Sequence, residues 1–384
     1  MNPAFDITLL TLGALALSVV LLALVVPALF ARRLQLSTPA DAIHFVRTTD
    51  NVRIALHRYE PLSVREGELP IILCHGLGAN RFNFDLDEHL SFARYLRGRG
   101  YDVFVLELRG SGLSESSRGS NFDDLVERDM PAAIVRVCEL TGSSKVNWVG
   151  HSLGGMIAYA ALGTDMHKRV HAIATIGSPA SFAHQPLLRS VAPMFPLVRP
   201  FLGHGSAFGA RLAAPAFIGI FGRIAAPFFS MLANVRNMEP RVVRRVLWNV
   251  ISETSPGVLT QIVQWLRSKT GPHLSAQSDP ESHWQNLTHP LLLLAGAADW
   301  ALAPPAAVRH AFYKAPSQDK ELIVLSKASG FSADYGHGDL ILGKRAREEV
   351  FPIVERFLWT HRRDDSAPAR SETQITAKQT IRVA

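Results

Sequence analysis

Val146–Met156 reads VNWVGHSLGGM. A β-branched and aromatic run leads straight into Gly150-His151-Ser152-Leu153-Gly154-Gly155. A serine held between glycines after a buried strand has two readings. It belongs to a glycine-rich loop, or it is a nucleophile displayed on a sharp turn. A G-x-S-x-G pentapeptide is short, so its context decides: a strand must precede it and a helix must follow. Both are predicted here, a strand over Val146–Val149 and a helix over Leu153–Leu162. The glycines then have a physical task, because only residues without side chains let strand and helix pass so closely around a strained turn.

Working outward, strands and helices alternate. Ala42–Glu60 reads as two strands around Thr49-Asp50-Asn51. LPIILCHG and YDVFVLEL are short, fully apolar strands, and His171–Ile176 is another. Phe84–Arg99 and Phe122–Leu140 have helical patterns, the second with a kink or break at Pro131. This alternation predicts an α/β fold with a mostly parallel sheet covered on both faces. The rhythm fails over 179–286, which is rich in Phe, Ala, Leu and Pro and shows no clear strand. It resumes with the strands PLLLLAGAAD and KELIVLS, a helix over Pro304–Ala315 between them, and a final amphipathic helix, KRAREEVFPIVERFLWTH. The organisation predicted is therefore a core over 40–178 and 287–362, a helical cap inserted at 179–286, and a polar, disordered tail over 363–384.

The N-terminus is different in kind. The 24 residues Ile7–Phe30, ITLLTLGALALSVVLLALVVPALF, carry no charge. At 1.5 Å rise per residue they are long enough for a bilayer core of roughly 30 Å. The preceding MNPAFD has no Lys or Arg, and PALFARR is a poor cleavage site, so residues 1–35 read as an uncleaved transmembrane anchor rather than a signal peptide. Arg32 and Arg33 flank only the C-terminal end, which predicts a single-pass protein with its globular part on the cytoplasmic side. The net charge of +7 comes without a basic run interleaved with aromatics. That argues against nucleic acid as partner and for attraction to an anionic membrane surface. Cys74 and Cys138 are the only cysteines. Two make no disulfide framework and no metal site, and Cys74 reads as core packing. Oligomeric state is not readable.

A serine hydroxyl needs a base, and the base needs a carboxylate to orient it. Asp299 follows the LLLLAGAAD strand, and His337 lies in SADYGHGDLILG between the last strand and last helix. Both stand where loops gather at the carboxyl edge of a parallel sheet, in the order serine, acid, histidine. Asp339, expected to cap the last helix, is the alternative acid, with Asp334 also flanking His337. His151 is expected to point away from its neighbour Ser152. An oxyanion formed at Ser152 needs preorganised N–H donors. Leu153, at a helix N-terminus, supplies one, and Leu77, in the His75-Gly76-Leu77-Gly78 turn, supplies the other. His75 reads as a loop organiser.

The stretches LCHGLGANRFNFD, FVLELRGSGLS, VGHSLGG, LLLLAGAAD and YGHGDLILG resemble the α/β-hydrolase superfamily over about Ile43–His361, less the insertion. The His-Gly-Asp element is similar to the His-x-Asp of acid-lipase-like members. The resemblance implies that Ser152 is the nucleophile, His337 the general base and then acid, and Asp299 its orienting partner. It also implies an acyl-enzyme intermediate and no metal or organic cofactor. The insertion matches no member, so substrate does not carry over. Polyester synthases look related but use Cys where this chain has Ser152. With the apolar stretch Phe208–Val235 in the cap, the expected activity is hydrolysis of a hydrophobic, lipid-like carboxylic ester at a membrane. An acyltransferase or thioesterase with the same triad, or a non-catalytic lipid-binding relative, are the alternatives.

Overall fold

The computed structural model describes residues 38–198 (without 64, 66 and 118), 229–362, 379–382 and the isolated positions 13, 14, 18, 35 and 36. Its strands are β1 (Ala42–Arg47), β2 (Arg53–Tyr59), β3 (Ile71–Cys74), β4 (Val103–Glu107), β5 (Val146–His151), β6 (Val170–Ile176), β7 (Leu291–Gly296), β8 (Lys320–Leu325) and β9 (Gln379–Arg382). They form one sheet in the order β1-β2-β4-β3-β5-β6-β7-β8-β9. The two pairings of β2, with β1 and with β4, are antiparallel and all others parallel.

Residue type explains which strands lie where. Every residue of β3, β4, β5 and β7 is buried, so these near-continuous apolar runs need cover on both faces. Successive side chains feed opposite cores. Ile72, Trp148 and Leu293 join one face with Ile134, Ile157 and Val308 from the helices α2 (Met130–Thr141), α3 (Leu153–Ala161) and α6 (Pro305–Lys314). Leu73, Val149 and Leu292 join the other with Leu96 and Leu358 from α1 (Phe92–Gly98) and α7 (Phe351–Thr360). On β1, intermediate and exposed positions alternate, as on an outer strand. Cys74 and Cys138 are buried free thiols.

Chain order fixes the position of the site. From β3 the chain crosses to β4 on one side, and β5 then returns to the other side of β3. The turns after β3 and β5 therefore diverge from one crevice at the carboxyl edge, the switch point at which α/β sheets bind ligands.

Several expectations are corrected. Helix over Phe84–Arg99 shrinks to α1. Asp85 is fully buried and takes the Tyr59 hydroxyl and the Arg81 and Arg94 guanidiniums, while Asp87 accepts from the N–H groups of His89 and Leu90. Such side-chain acceptors compete with helix formation. The break near Pro131 is a π-helical turn, Leu125–Asp129, ahead of α2, whose first turn tolerates the missing N–H of proline. The final helix is likewise interrupted, into Ala346–Glu349 and α7, next to Pro352. Within the tail expected to be disordered, β9 pairs with β8, and 363–378 lie outside the described residues.

Between β6 and β7 the described residues hold helices and turns but no strand, including α4 (Pro240–Asn249) and α5 (Pro256–Ser268). Residues 199–228 lie outside the described residues. So does the anchor predicted over Ile7–Phe30, apart from three isolated positions. Among the described residues no helix is long and apolar enough to cross a membrane.

Candidate active site

Ser152 has φ 53° and ψ −115°, a left-handed conformation that a side chain rarely tolerates. It stands between β5 and α3, and its N–H donates to the Ile176 carbonyl at 2.9 Å. The flanking glycines are required by contact. A Cβ on Gly150 would lie 2.3 Å from the backbone of Gly154 and Gly155, and one on Gly154 would lie 2.1 Å from the Cys74 carbonyl oxygen. The helix thus begins against the end of β3, with the serine lifted out of the strand line.

Asp299 follows β7 in a turn closed by its own N–H donating to Gly296 O at 3.1 Å. Its side chain is fully buried. Oδ1 accepts from the N–H groups of Leu302 (3.1 Å) and Ala303 (3.0 Å), and Oδ2 lies 2.6 Å from His337 Nδ1. An ionised carboxylate only accepts, so Nδ1 carries the proton and Nε2 is left with its lone pair. The His337 loop is stitched to the Asp299 loop by Ala298 N–H donating to the Tyr335 carbonyl at 2.8 Å. His337 is 6% exposed.

Ser152 and His337 both lie against the end of β6. The Ile176 carbonyl takes the Ser152 N–H, and a Cβ on the next residue, Gly177, would stand 3.4 Å from His337 Nδ1. Among the described residues no hydrogen bond to Ser152 Oγ is formed. Catalytic contacts are commonly loose before substrate binds. Leu77 and Leu153 line one narrow cleft with His75, Gly78 and Thr254. Leu153 opens α3, where helix N–H groups have no partner within the helix. The Leu77 N–H donates to no acceptor among the described residues. The two residues predicted to supply the donors therefore line the same cleft.

His75 organises its loop as expected. Nδ1–H donates to Gly76 O at 2.9 Å, and Nε2 accepts from Leu108 N–H at 3.2 Å, so the ring is neutral; burial lowers its pKa. His151 packs against His337. Its ring centroid is 4.9 Å from that of His337, its Nε2 lies 3.3 Å from the His337 carbonyl oxygen, and its Nδ1 lies 2.9 Å from the Asn83 amide. Burial, then the neighbouring His337, hold its pKa well below the usual histidine range. A histidine at the carboxyl end of a buried strand was the available signal for His151. None marked Asn83.

Among the described residues Asp339 forms no hydrogen bond to the His337 ring, and it does not cap the last helix. It is fully buried and accepts from Asn234 N–H (2.8 Å), Gly336 N–H (2.9 Å) and Asn237 Nδ2 (2.8 Å). Asp334 accepts from Lys327 N–H at 2.9 Å. Of the carboxylates considered, Asp299 is thus the one on the imidazole. Among the described residues no group of three or more His, Cys, Asp or Glu is placed to hold a metal ion.

Comparison with known proteins agrees with this geometry. The family model described as alpha/beta hydrolase fold matches residues 70–328. Lipase lipl-1 of Caenorhabditis elegans is 24% identical over 369 residues, covering 82% of this chain and 87% of its own. A thermophilic esterase from Thermogutta terrifontis superposes with a TM-score of 0.57 at 17% identity, covering 84% of this chain and all of the other. A bacterial membrane phospholipase A, described as a virulence factor, superposes at 0.52 and 19% identity, covering 94% and 99%. From the glycine-flanked serine after β5 to the match across two thirds of its length, the chain belongs to the α/β-hydrolase fold family.

Proposed function

We propose that this protein hydrolyses a hydrophobic, lipid-derived carboxylic ester through an acyl-enzyme on Ser152. The observation that carries the reading is the buried 2.6 Å contact between His337 Nδ1 and Asp299 Oδ2, beside a serine in a strained turn. In the first step Nε2 of His337 takes the Ser152 hydroxyl proton as Oγ attacks the ester carbonyl. Charge collects on the carbonyl oxygen, which the N–H groups of Leu77 and Leu153 receive. Removing one such donor from a hydrolase costs about 2.7–4 kcal/mol of barrier. Collapse of the tetrahedral species returns the proton from Nε2 to the departing alcohol. Water then repeats the sequence on the acyl-serine and releases the acid. Asp299 stays ionised throughout and favours the imidazolium that forms twice in each cycle.

The preference for an apolar acyl group is supported by the lipase relative and by the apolar composition of the insertion. We further propose that Ile7–Phe30 anchors the protein in a membrane with its catalytic part on the cytoplasmic side, on the strength of the uncharged run and Arg32-Arg33. The deciding experiment is fluorophosphonate labelling of the detergent-solubilised chain beside Ser152→Ala, followed by p-nitrophenyl esters of increasing acyl length. Labelling lost in the variant, with turnover rising from acetyl to longer acyl groups, is expected. An unlabelled wild type overturns the proposal.

A further inference from the structure

The insertion rests on the catalytic loops at two places, at either end of α4. Before the helix, Leu232–Asn237 runs along the His337 loop. Gly338 N–H donates to Leu232 O, and Lys344 N–H donates to Asn237 O, each at 2.8 Å. Asn234 Nδ2 donates to Asp334 O at 2.8 Å. Asp339 ties the two segments together, because its carboxylate takes donors from the insertion (Asn234 N–H, Asn237 Nδ2) and from Gly336, the residue before His337. The packing there is close: a Cβ on Gly336 would lie 2.4 Å from Asn234 N. After the helix, Ser252 N–H donates to Gly78 O at 2.7 Å, and Asn80 Nδ2 donates to Asn249 O at 2.7 Å. Gly78 and Asn80 belong to the turn that presents Leu77. Val242 and Val250 are buried, so the span between the two contacts is packed on the core.

A carboxylate with no exposure loses its hydration, and hydrogen bonds have to replace it. Here those bonds fix the histidine loop against a segment about a hundred positions away. We propose that Asp339 and Asn237 are positioning residues for His337, so that the return of the insertion through α4 sets the imidazole and the oxyanion turn in one frame. This rests on the serine-hydrolase reading above and goes beyond it. The insertion does more than cover substrate. Its attachment determines whether Nε2 of His337 lies where it can take the serine proton, and this matters even for a small ester that needs no apolar cover.

Asp339→Asn tests the link. Oδ1 is held by two backbone N–H groups, so the new amide nitrogen faces Asn237, which can answer it only by turning its own amide over and moving from the position that it holds against the carboxylate. The double variant N237D/D339N reverses the polarity and restores the contact. For p-nitrophenyl acetate, D339N is expected to lower kcat at least tenfold with KM changed less than twofold. Fluorophosphonate labelling should slow by the same factor, and N237D/D339N should recover both to within about threefold of wild type. If D339N does not accumulate folded, N237A reads the same link with an expected three- to tenfold fall in kcat. A D339N, or in its place an N237A, that labels and turns over at the wild-type rate overturns the inference. So does a double variant that recovers thermal stability without kcat. An unlabelled wild type overturns the hydrolase reading itself, so the two failures are told apart.

Discussion

Asp299→Asn separates orientation of the imidazole from every other property of the site. The side chains have the same shape, so packing is preserved, and the outcome depends on which way the new amide turns. In one orientation its oxygen keeps the N–H groups of Leu302 and Ala303, at 3.1 and 3.0 Å, and its NH2 faces His337 Nδ1. In the other its oxygen faces His337, and its NH2 confronts two backbone donors. Leaving buried donors unsatisfied costs about 1–3 kcal/mol each. Two such losses outweigh the one contact kept, so the first orientation wins. His337 must then accept at Nδ1 and carry its proton on Nε2, the nitrogen that has to receive the serine proton. A triad histidine in the wrong tautomer loses about 10⁴ in kcat, or about 5 kcal/mol of barrier. The assay is steady-state hydrolysis of p-nitrophenyl esters with active-site titration, alongside circular dichroism to establish that the fold is kept. A folded variant that retains more than a tenth of wild-type kcat would refute the assignment of Asp299 as the orienting acid.

Two further outcomes follow from the geometry. Ser152→Gly relieves a left-handed conformation that costs about 1–3 kcal/mol, against about 0.4–1 kcal/mol of added chain entropy in the unfolded state. The inactive variant should therefore be more stable by about 1 kcal/mol, and calorimetry showing a lower Tm would contradict stored strain at the nucleophile. Glu68 is a partly buried carboxyl whose pKa burial pushes up to about 7, with Arg65 opposing. The folded state therefore holds its proton more tightly than the unfolded chain, whose carboxyl titrates near 4.5. The stability associated with this proton is complete below about pH 4.5, and it is lost as pH rises towards 7. Glu68→Gln should accordingly raise Tm at pH 8 and leave it unchanged at pH 4.5. Equal shifts at both pH values would refute burial as the cause.

Much of the site was legible because its parts stand beside strongly patterned segments. β3 and β7 are apolar throughout and β5 nearly so, so the turns after them could be located. Asp299 and His337 were found by where they follow such strands, among fifteen histidines and many carboxylates. What could not be read was side-chain direction and distant pairing. His151 lies against His337, 186 positions later, which no local spacing encodes. Asp339 pairs with Asn237, 102 positions earlier, and only the folded insertion brings them together. The helical pattern of Phe84–Arg99 misled for a related reason. Asp85 found partners on β2 and α1 that outcompeted the helix.

The site is split between the two halves of the core. On the proposed assignment, the nucleophile and both oxyanion donors come from the part before the insertion, while the orienting acid and the base come after it. Ser152 and His337 are 185 positions apart. At synthesis rates of about 5–20 residues per second, the serine leaves the ribosome roughly 10–40 s before the histidine. Throughout that interval the nascent chain carries a nucleophile without a base. If Ser152 depends on His337 as proposed, the enzyme is silent until β7 and β8 have joined the sheet. Onset of activity during translation is then expected to time completion of the core, and a chain truncated before β8 is expected not to turn over substrate.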